Sequence, residues 1–308
     1  MFAFVVRRLA QIGVVVFAMS AVTYLMLFTI GNPIAILLGS SIAVTQQQID
    51  EVTAIYGLDQ PFYVQYWRFV HRAVTKGDLG TSYYYHEPAL KLILERMPAT
   101  LLLSIPPLII ASILALPLGL AAALNRGRWV DRAILSFSML GMATPVFWLA
   151  VILVFIFSVQ LRVLPSSGYG TLNHLVLPLF SLTAGALAVL VRLVRTEVLE
   201  TLGKDFVRTA AAKGTSRISV ITKHVLRNSL IPFVTYLGLM AGSILGNTVI
   251  TERIFAWPGS GRLLLTSIER LDYPVILAFV ILITLLFLVV NLLVDLLYFA
   301  LDPRIRYA

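Results

Sequence analysis

Apolar residues in this chain gather into near-continuous runs, and the polar residues collect between them. Six runs stand out, at residues 9–30, 98–124, 133–159, 172–191, 230–250 and 275–300. Each reaches or exceeds the ~20 residues that cross ~30 Å of hydrocarbon at 1.5 Å per residue. A backbone in lipid must satisfy its own hydrogen bonds, so the runs predict helices. The fold class that follows is an all-α membrane protein with six transmembrane helices. Prolines at Pro106, Pro107 and Pro117 in the second run, Pro145 in the third and Pro178 in the fourth remove backbone donors and predict kinks.

The pattern divides the chain into a first transmembrane helix at 1–30, an extracytoplasmic insert at 31–97, a core of five transmembrane helices at 98–300 and a tail at 301–308. The first run is longer than the 7 to 15 apolar residues of a secretory signal, and no small-x-small site follows it, so it reads as a retained helix. In the insert, the spacing of Tyr63, Tyr66, Trp67 and Val70 predicts an amphipathic helix on the bilayer surface.

Composition sharpens the picture. At 59% hydrophobic and 13% charged, against roughly 25% charged in soluble domains, the chain is not a water-soluble fold. There is no cysteine, which excludes disulfides and thiolate metal sites. His71, His86, His174 and His224 are scattered, so no metal site is expected. The net charge of +9 sits on residues flanking the spans and reads as an orientation signal, with no nucleic-acid partner. Fifteen of the 24 Lys and Arg lie at 7–8, 126–132, 192–227 and 304–306, on one side of a six-span topology. That side, with both termini, is expected to be cytoplasmic.

The longest polar interval between spans, 192–229, therefore faces the cytosol. Asp205 is placed to cap a helix over 206–213, whose three alanines supply propensity, and Gly214 supplies a left-handed stop. A second short helix carries Ile218, Ile221 and Val225 on one stripe. The pair suits either a docking element or a membrane-surface pair. A phosphate-binding GxxxxGK[ST] loop is absent: Gly203-Lys204 is followed by Asp205, and position 198 is Val. No catalytic constellation assembles either, so the chain reads as a non-enzyme driven by a partner or an ion gradient.

Inside the spans, Asn247, Thr248, Thr284 and Asn291 are candidate path-lining groups. Asp295 reads as a structural carboxylate near the cytosolic interface, with Arg304 or a loop arginine as its partner. Gly238, Gly242 and Gly246 form a small-xxx-small face, suited to a second membrane subunit or to packing within the chain.

Several segments carry a family resemblance. Asp205-Phe206-Val207-Arg208-Thr209-Ala210-Ala211-Ala212-Lys213-Gly214 resembles the EAA loop of bacterial ABC importer permeases, in the form used by dipeptide, oligopeptide and nickel permeases. It departs from the general pattern at Arg208, Thr209 and Arg227, and matches it at Ala210 and Gly214. Tyr56-Gly57-Leu58-Asp59-Gln60-Pro61, Gly77-Asp78-Leu79-Gly80 with Ser82, and Phe255-Ala256-Trp257-Pro258-Gly259-Ser260-Gly261-Arg262-Leu263 with Asp272-Tyr273-Pro274 resemble that family's external segments. Leu301-Asp302-Pro303-Arg304-Ile305-Arg306 resembles its C-terminus, and the large insert resembles the B-type subunit.

The resemblance implies a type I importer permease fold in a bacterial cytoplasmic membrane. It implies a second, C-type permease, two cytoplasmic ATP-binding subunits and an extracytoplasmic solute-binding protein as partners, with ATP and Mg held by the ATP-binding subunits and no cofactor on this chain. Asp205, Phe206, Arg208, Thr209, Ala210, Lys213 and Gly214 would contact the ATPase. Trp257, Pro258, Gly259, Gly261 and Arg262 would form an external gate or docking surface for the binding protein. The competing class, an ion-coupled secondary transporter, needs inverted repeats and midplane ionisable residues, and the sequence shows neither.

Overall fold

The structure is a computed structural model that describes residues 2–30, 34, 45–57 and 59–301. Residues 35–44 of the insert, the tail motif at 302–306 and the side chain of Asp295 lie outside the described residues. Among the described residues there is no β-strand, only an isolated bridge between Thr81 and Pro88.

The helices are α1 (Phe2–Ile30), α2 (Gln46–Tyr56), α3 (Phe62–Lys76), α4 (Ala89–Leu124), α5 (Trp129–Ala143), α6 (Val146–Leu153, continued as a π-helical turn over Val154–Gln160), α7 (Leu172–Leu202), α8 (Asp205–Ala212), α9 (Arg217–Ser219, continued as a π-helical turn over Val220–Leu226), α10 (Arg227–Ile254), α11 (Ser260–Glu269) and α12 (Tyr273–Leu301). Five are long and apolar enough to cross a membrane: Val6–Ile30, Ala89–Leu124, Leu172–Leu202, Pro232–Ile254 and Tyr273–Val294. The pair Trp129–Ala143 and Val146–Gln160 makes a sixth span if taken as one, bent by 99° at its break. The break falls at Thr144–Pro145, where the missing proline donor and the restriction on the preceding residue interrupt the helix.

Two boundaries differ from the sequence expectation. The second span begins at Ala89, so nine residues assigned to the insert belong to its helix, which runs on through Pro98, Pro106, Pro107 and Pro117. The flanking helices also run into the 192–229 interval. The helix of the fourth span continues to Leu202, and helix resumes at Arg217 and runs without interruption to Ile254, through Pro232. Lys and Arg lower the hydropathy of these segments without lowering their helix propensity, so the edge of an apolar run is not a helix end.

The chain divides into two compact units. The first comprises residues 1–100 and 258–289. Its core sets Leu27 of α1 and Tyr66 and Phe69 of α3 with Ile276, Leu277 and Ile281 of α12. The second comprises 101–257 and 290–308. Its core is built from small and β-branched residues: Ala111, Ala115 and Ala123 of α4, Leu190, Val191, Val194 and Val198 of α7, Val220 and Val225 of the π turn, and Phe233 and Ile244 of α10.

Lipid is as apolar as a side chain, so close van der Waals contact at small residues holds such helices together. A Cβ on Gly119 would lie 2.6 Å from Val194 Cβ, and one on Gly141 would lie 2.9 Å from Ala188 Cβ. The glycines of α10 divide: a Cβ on Gly238 would press on Val294 at 3.0 to 3.3 Å, whereas Gly246 faces open space. Gly238 thus serves packing within the chain, and Gly246 leaves its surface uncovered.

A two-faced surface helix and a groove at the broken span

Helix α8 is held between the ends of α7 and α10. It starts three residues after Leu202 and stops where Gly214 adopts φ +80°, the left-handed conformation a glycine takes without strain. The Thr215 N–H donates to Ala210 O at 3.4 Å, the long-range bond of a Schellman stop. Asp205 is the first helical residue, and its carboxylate lies 3.7 Å from Arg208, an exposed pair of little energetic weight. The Ser229 hydroxyl donates to that of Thr201 at 3.3 Å, a buried tie between the C-terminal end of α7 and the N-terminal end of α10.

The helix has two faces. Val207 is buried in the core of the second unit, and Ala210 packs against that core. Asp205, Phe206, Arg208, Thr209, Lys213 and Gly214 are exposed. A large aromatic and two cations therefore stand outward on a short helix whose other face is anchored. Val207 is the residue that sequence reasoning missed; its i+3 relation to Ala210 was the available signal.

Asp131 of α5 and Arg195 of α7 form a two-pronged ion pair. Arg195 Nε donates to Asp131 Oδ1 at 2.6 Å and Nη2 donates to Oδ2 at 2.8 Å, while the Gly127 N–H donates to Oδ2 at 2.8 Å. The Asp131 side chain is 4% exposed and that of Arg195 20%. The pair joins residues 64 apart in sequence and ties the start of the broken span to the helix leading into α8.

The broken span also shapes a groove of about 460 Å³. Its polar groups are Thr144 at the break and Ser243 and Asn247 on α10; Met142, Phe147 and Met240 are among its apolar ones. Among the described residues, no ionisable side chain lines it. Of the four path candidates, Asn247 alone is among these lining residues. Thr248 is fully buried, donating to Ile244 O at 2.8 Å and sharing a hydrogen bond with Ser104 at 3.3 Å. Thr284 is buried in the first unit, and Asn291 is half-buried on α12.

On the candidate gate, the structure separates the residues. Trp257 is 1% exposed and meets Tyr169 edge to face at 4.7 Å, and its N–H donates to Glu252 O at 2.9 Å. Gly259 flanks the start of α11, and Gly261 is helical and buried. Pro258 and Arg262 are exposed. Large aromatics read equally as surface anchors or core residues in sequence, and Trp257 here is core.

Two of the external motifs prove to be partners. The Ser82 hydroxyl donates to Asp272 Oδ2, and the Tyr83 N–H donates to Oδ1 at 3.0 Å. A Cβ on Gly80 would meet Pro274 at 3.1 Å, so the glycine permits the approach. The Tyr83 and Tyr273 rings lie 6.4 Å apart, and the Arg270 guanidinium covers Tyr84 at 3.5 Å. Burial pushes the Asp272 carboxyl above its usual range; the donors from Ser82, Tyr83 and Val275 and the charge of His86 act against that shift.

The family described as binding-protein-dependent transport system inner membrane component matches residues 115–307, and the N-terminal region described for such membrane components matches residues 1–104. The chain belongs to this family of binding-protein-dependent transport permeases. The glutathione transport system permease protein GsiC of Escherichia coli K12 is 39% identical over 305 residues, covering 99% of both chains. That of Salmonella paratyphi A is 41% identical over 282 residues, 90% of each.

In three dimensions the permease is similar to an amino acid ABC transporter crystallised with histidines, with a TM-score of 0.55 at 14% identity over 68% of this chain and 93% of that one. It is likewise similar to the inward-facing MetNI methionine ABC transporter, with a TM-score of 0.55 at 17% identity over 69% and 97%. These likenesses support the type I importer permease fold, and the relatives favour an ABC importer permease of the peptide class over a secondary transporter.

Proposed function

We propose that this permease forms one half of the path of an ATP-driven importer for small peptides, in a bacterial cytoplasmic membrane with both termini cytosolic. Its partners are a C-type permease, two cytoplasmic ATP-binding subunits that hold ATP and Mg, and an extracytoplasmic binding protein. The chain itself carries out no chemistry and holds no cofactor.

The observation that carries this reading is α8. A short helix with Phe206, Arg208 and Lys213 outward and Val207 anchored can receive a displacement from an ATPase groove and pass it to α7 and α10 without bending, which a flexible loop cannot. The groove at Thr144, Ser243 and Asn247 offers neutral hydrogen-bonding groups, suited to amide backbones rather than to one charged side chain. Glutathione-like tripeptides and dipeptides fit that chemistry, and the relatives named for glutathione transport support the same class.

The test is purification of the tagged permease with its neighbouring subunits, followed by ATPase and uptake assays. Gly214→Trp is expected to insert normally yet uncouple ATP hydrolysis from uptake. Undiminished uptake by that variant refutes the coupling role. A lone permease that moves solute down an ion gradient without an ATPase refutes the importer reading as a whole.

A further inference from the structure

The amphipathic helix α3 is wider in its apolar arc than its partners in the chain require. At 3.6 residues per turn, Phe62, Tyr66, Phe69 and Ala73 share one face, and Tyr63, Trp67 and Val74 lie together about 110° around from it. The first face is covered: Tyr66 and Phe69 are buried against α1 and α12. The second is open, with Tyr63 69%, Trp67 64% and Val74 79% exposed. The remaining arc carries Arg68, His71, Arg72 and Lys76, and no acidic residue occurs anywhere in Phe62–Lys76.

The depth of this helix follows from its contacts. The Tyr66 hydroxyl donates to Phe17 O at 3.0 Å and lies 2.9 Å from the Ser20 hydroxyl, while the Phe62 ring meets those of Tyr24 and Phe28. Along α1, Phe28 and Phe17 precede Ile30 by ~3 and ~20 Å at 1.5 Å per residue. The apolar span Val6–Ile30 crosses a hydrocarbon layer whose half-thickness is ~15 Å. Helix α3 therefore lies alongside the C-terminal half of a transmembrane helix, below the level at which that helix leaves the membrane. Apolar side chains of α1, Val14, Val22, Leu25 and Met26 among them, are exposed as well.

We infer that α3 is seated in the leaflet at the C-terminal end of α1, with Tyr63, Trp67 and Val74 in contact with acyl chains and Arg68, Arg72 and Lys76 binding the headgroups of anionic phospholipids. Under the orientation proposed above, this is the outer leaflet. Trp and Tyr suit the boundary because their rings are amphipathic, and Arg and Lys extend apolar stems through the interface to reach phosphate. The surface helix expected from the sequence is thus sunk into the membrane on one face and bound to the first span on another.

The absence of cysteine makes the test direct. Trp67→Cys, Val74→Cys and, on the cationic arc, His71→Cys each give the full chain a single thiol for a fluorescent label. The labelled permease, with cysteine-free partner subunits, is reconstituted in phosphatidylcholine vesicles containing phosphatidylglycerol. Labels at 67 and 74 should be quenched by nitroxide lipids and shielded from iodide, and the label at 71 should show the reverse. Iodide quenching at 67 and 74 overturns the inference in favour of a water-facing helix. Shielding from both quenchers overturns it in favour of a protein partner on this face.

For the headgroups, the triple variant Arg68→Gln, Arg72→Gln, Lys76→Gln should retain less phosphatidylglycerol relative to phosphatidylcholine in native mass spectra. The expected loss is about fivefold per cation removed. An unchanged ratio overturns the headgroup assignment. None of these readouts depends on transport, so they separate this inference from the coupling role of α8.

Discussion

Replacing Arg195 by Met removes the guanidinium that holds Asp131, and the consequence can be worked from the geometry. Asp131 keeps only the Gly127 N–H, with its side chain 4% exposed. An uncompensated buried carboxylate of this kind costs about 3–5 kcal/mol. Asp131→Asn strands the cation instead, at a similar or smaller cost because Arg195 is 20% exposed. The double variant Asp131→Asn, Arg195→Met leaves an acceptor for Gly127 and no buried charge, so it should recover most of the loss. The coupling energy of the cycle is then at least about 3 kcal/mol.

The assay is unfolding of the purified permease complex in mixed micelles, followed by tryptophan fluorescence, at low and high salt. A buried pair is weakly screened, so the coupling should persist at high salt. Single variants that each cost under about 1 kcal/mol and add in the double would refute the reasoning and return the pair to the class of surface ion pairs.

Other predictions follow from separate features. Gly119→Ala places a methyl 2.6 Å from Val194 Cβ and should cost about 1–3 kcal/mol in the same unfolding assay, whereas Gly246→Ala, facing open space, should leave stability unchanged. Asp272 binds its proton more tightly in the folded chain than in the unfolded one. Its contribution is therefore fully present below the unfolded value and declines as pH rises through the raised folded value. Asp272→Asn should flatten that part of the pH–stability curve, and Asp272→Ala should cost about 1–3 kcal/mol by stranding the Ser82 and Tyr83 donors. Phe206→Ala on the outward face of α8 should cost at least about 2 kcal/mol of ATPase-subunit affinity, read by co-purification, and leave the unfolding midpoint unmoved.

The spans were legible because a lipid environment leaves few ways to satisfy a backbone, and Pro145 and Gly214 announce a break and a stop through chemistry of their own. What escaped was of two kinds. The reach of the flanking helices into 192–229, to Leu202 and from Arg217, was hidden because charged residues end an apolar run without ending a helix. Pairings such as Asp131 with Arg195, or Ser82 with Asp272, join residues that no local pattern connects. On α3 the periodicity gave the apolar arc but could not divide it: Tyr66 went to α1, while Trp67, one residue on, remained uncovered. Trp257 shows the same ambiguity, with a loop motif turning its largest ring into the core.

The uninterrupted helix from Arg217 to Ile254 has a thermodynamic consequence. Its N-terminal end adjoins α8, and Asn247, ~45 Å of helix further along, lines the groove. Two ligands that each favour one setting of a single rigid element cannot act independently. Under the coupling role proposed for α8, whatever factor an ATPase bound at Phe206 imposes on solute affinity at Asn247, the solute imposes in return on ATPase affinity.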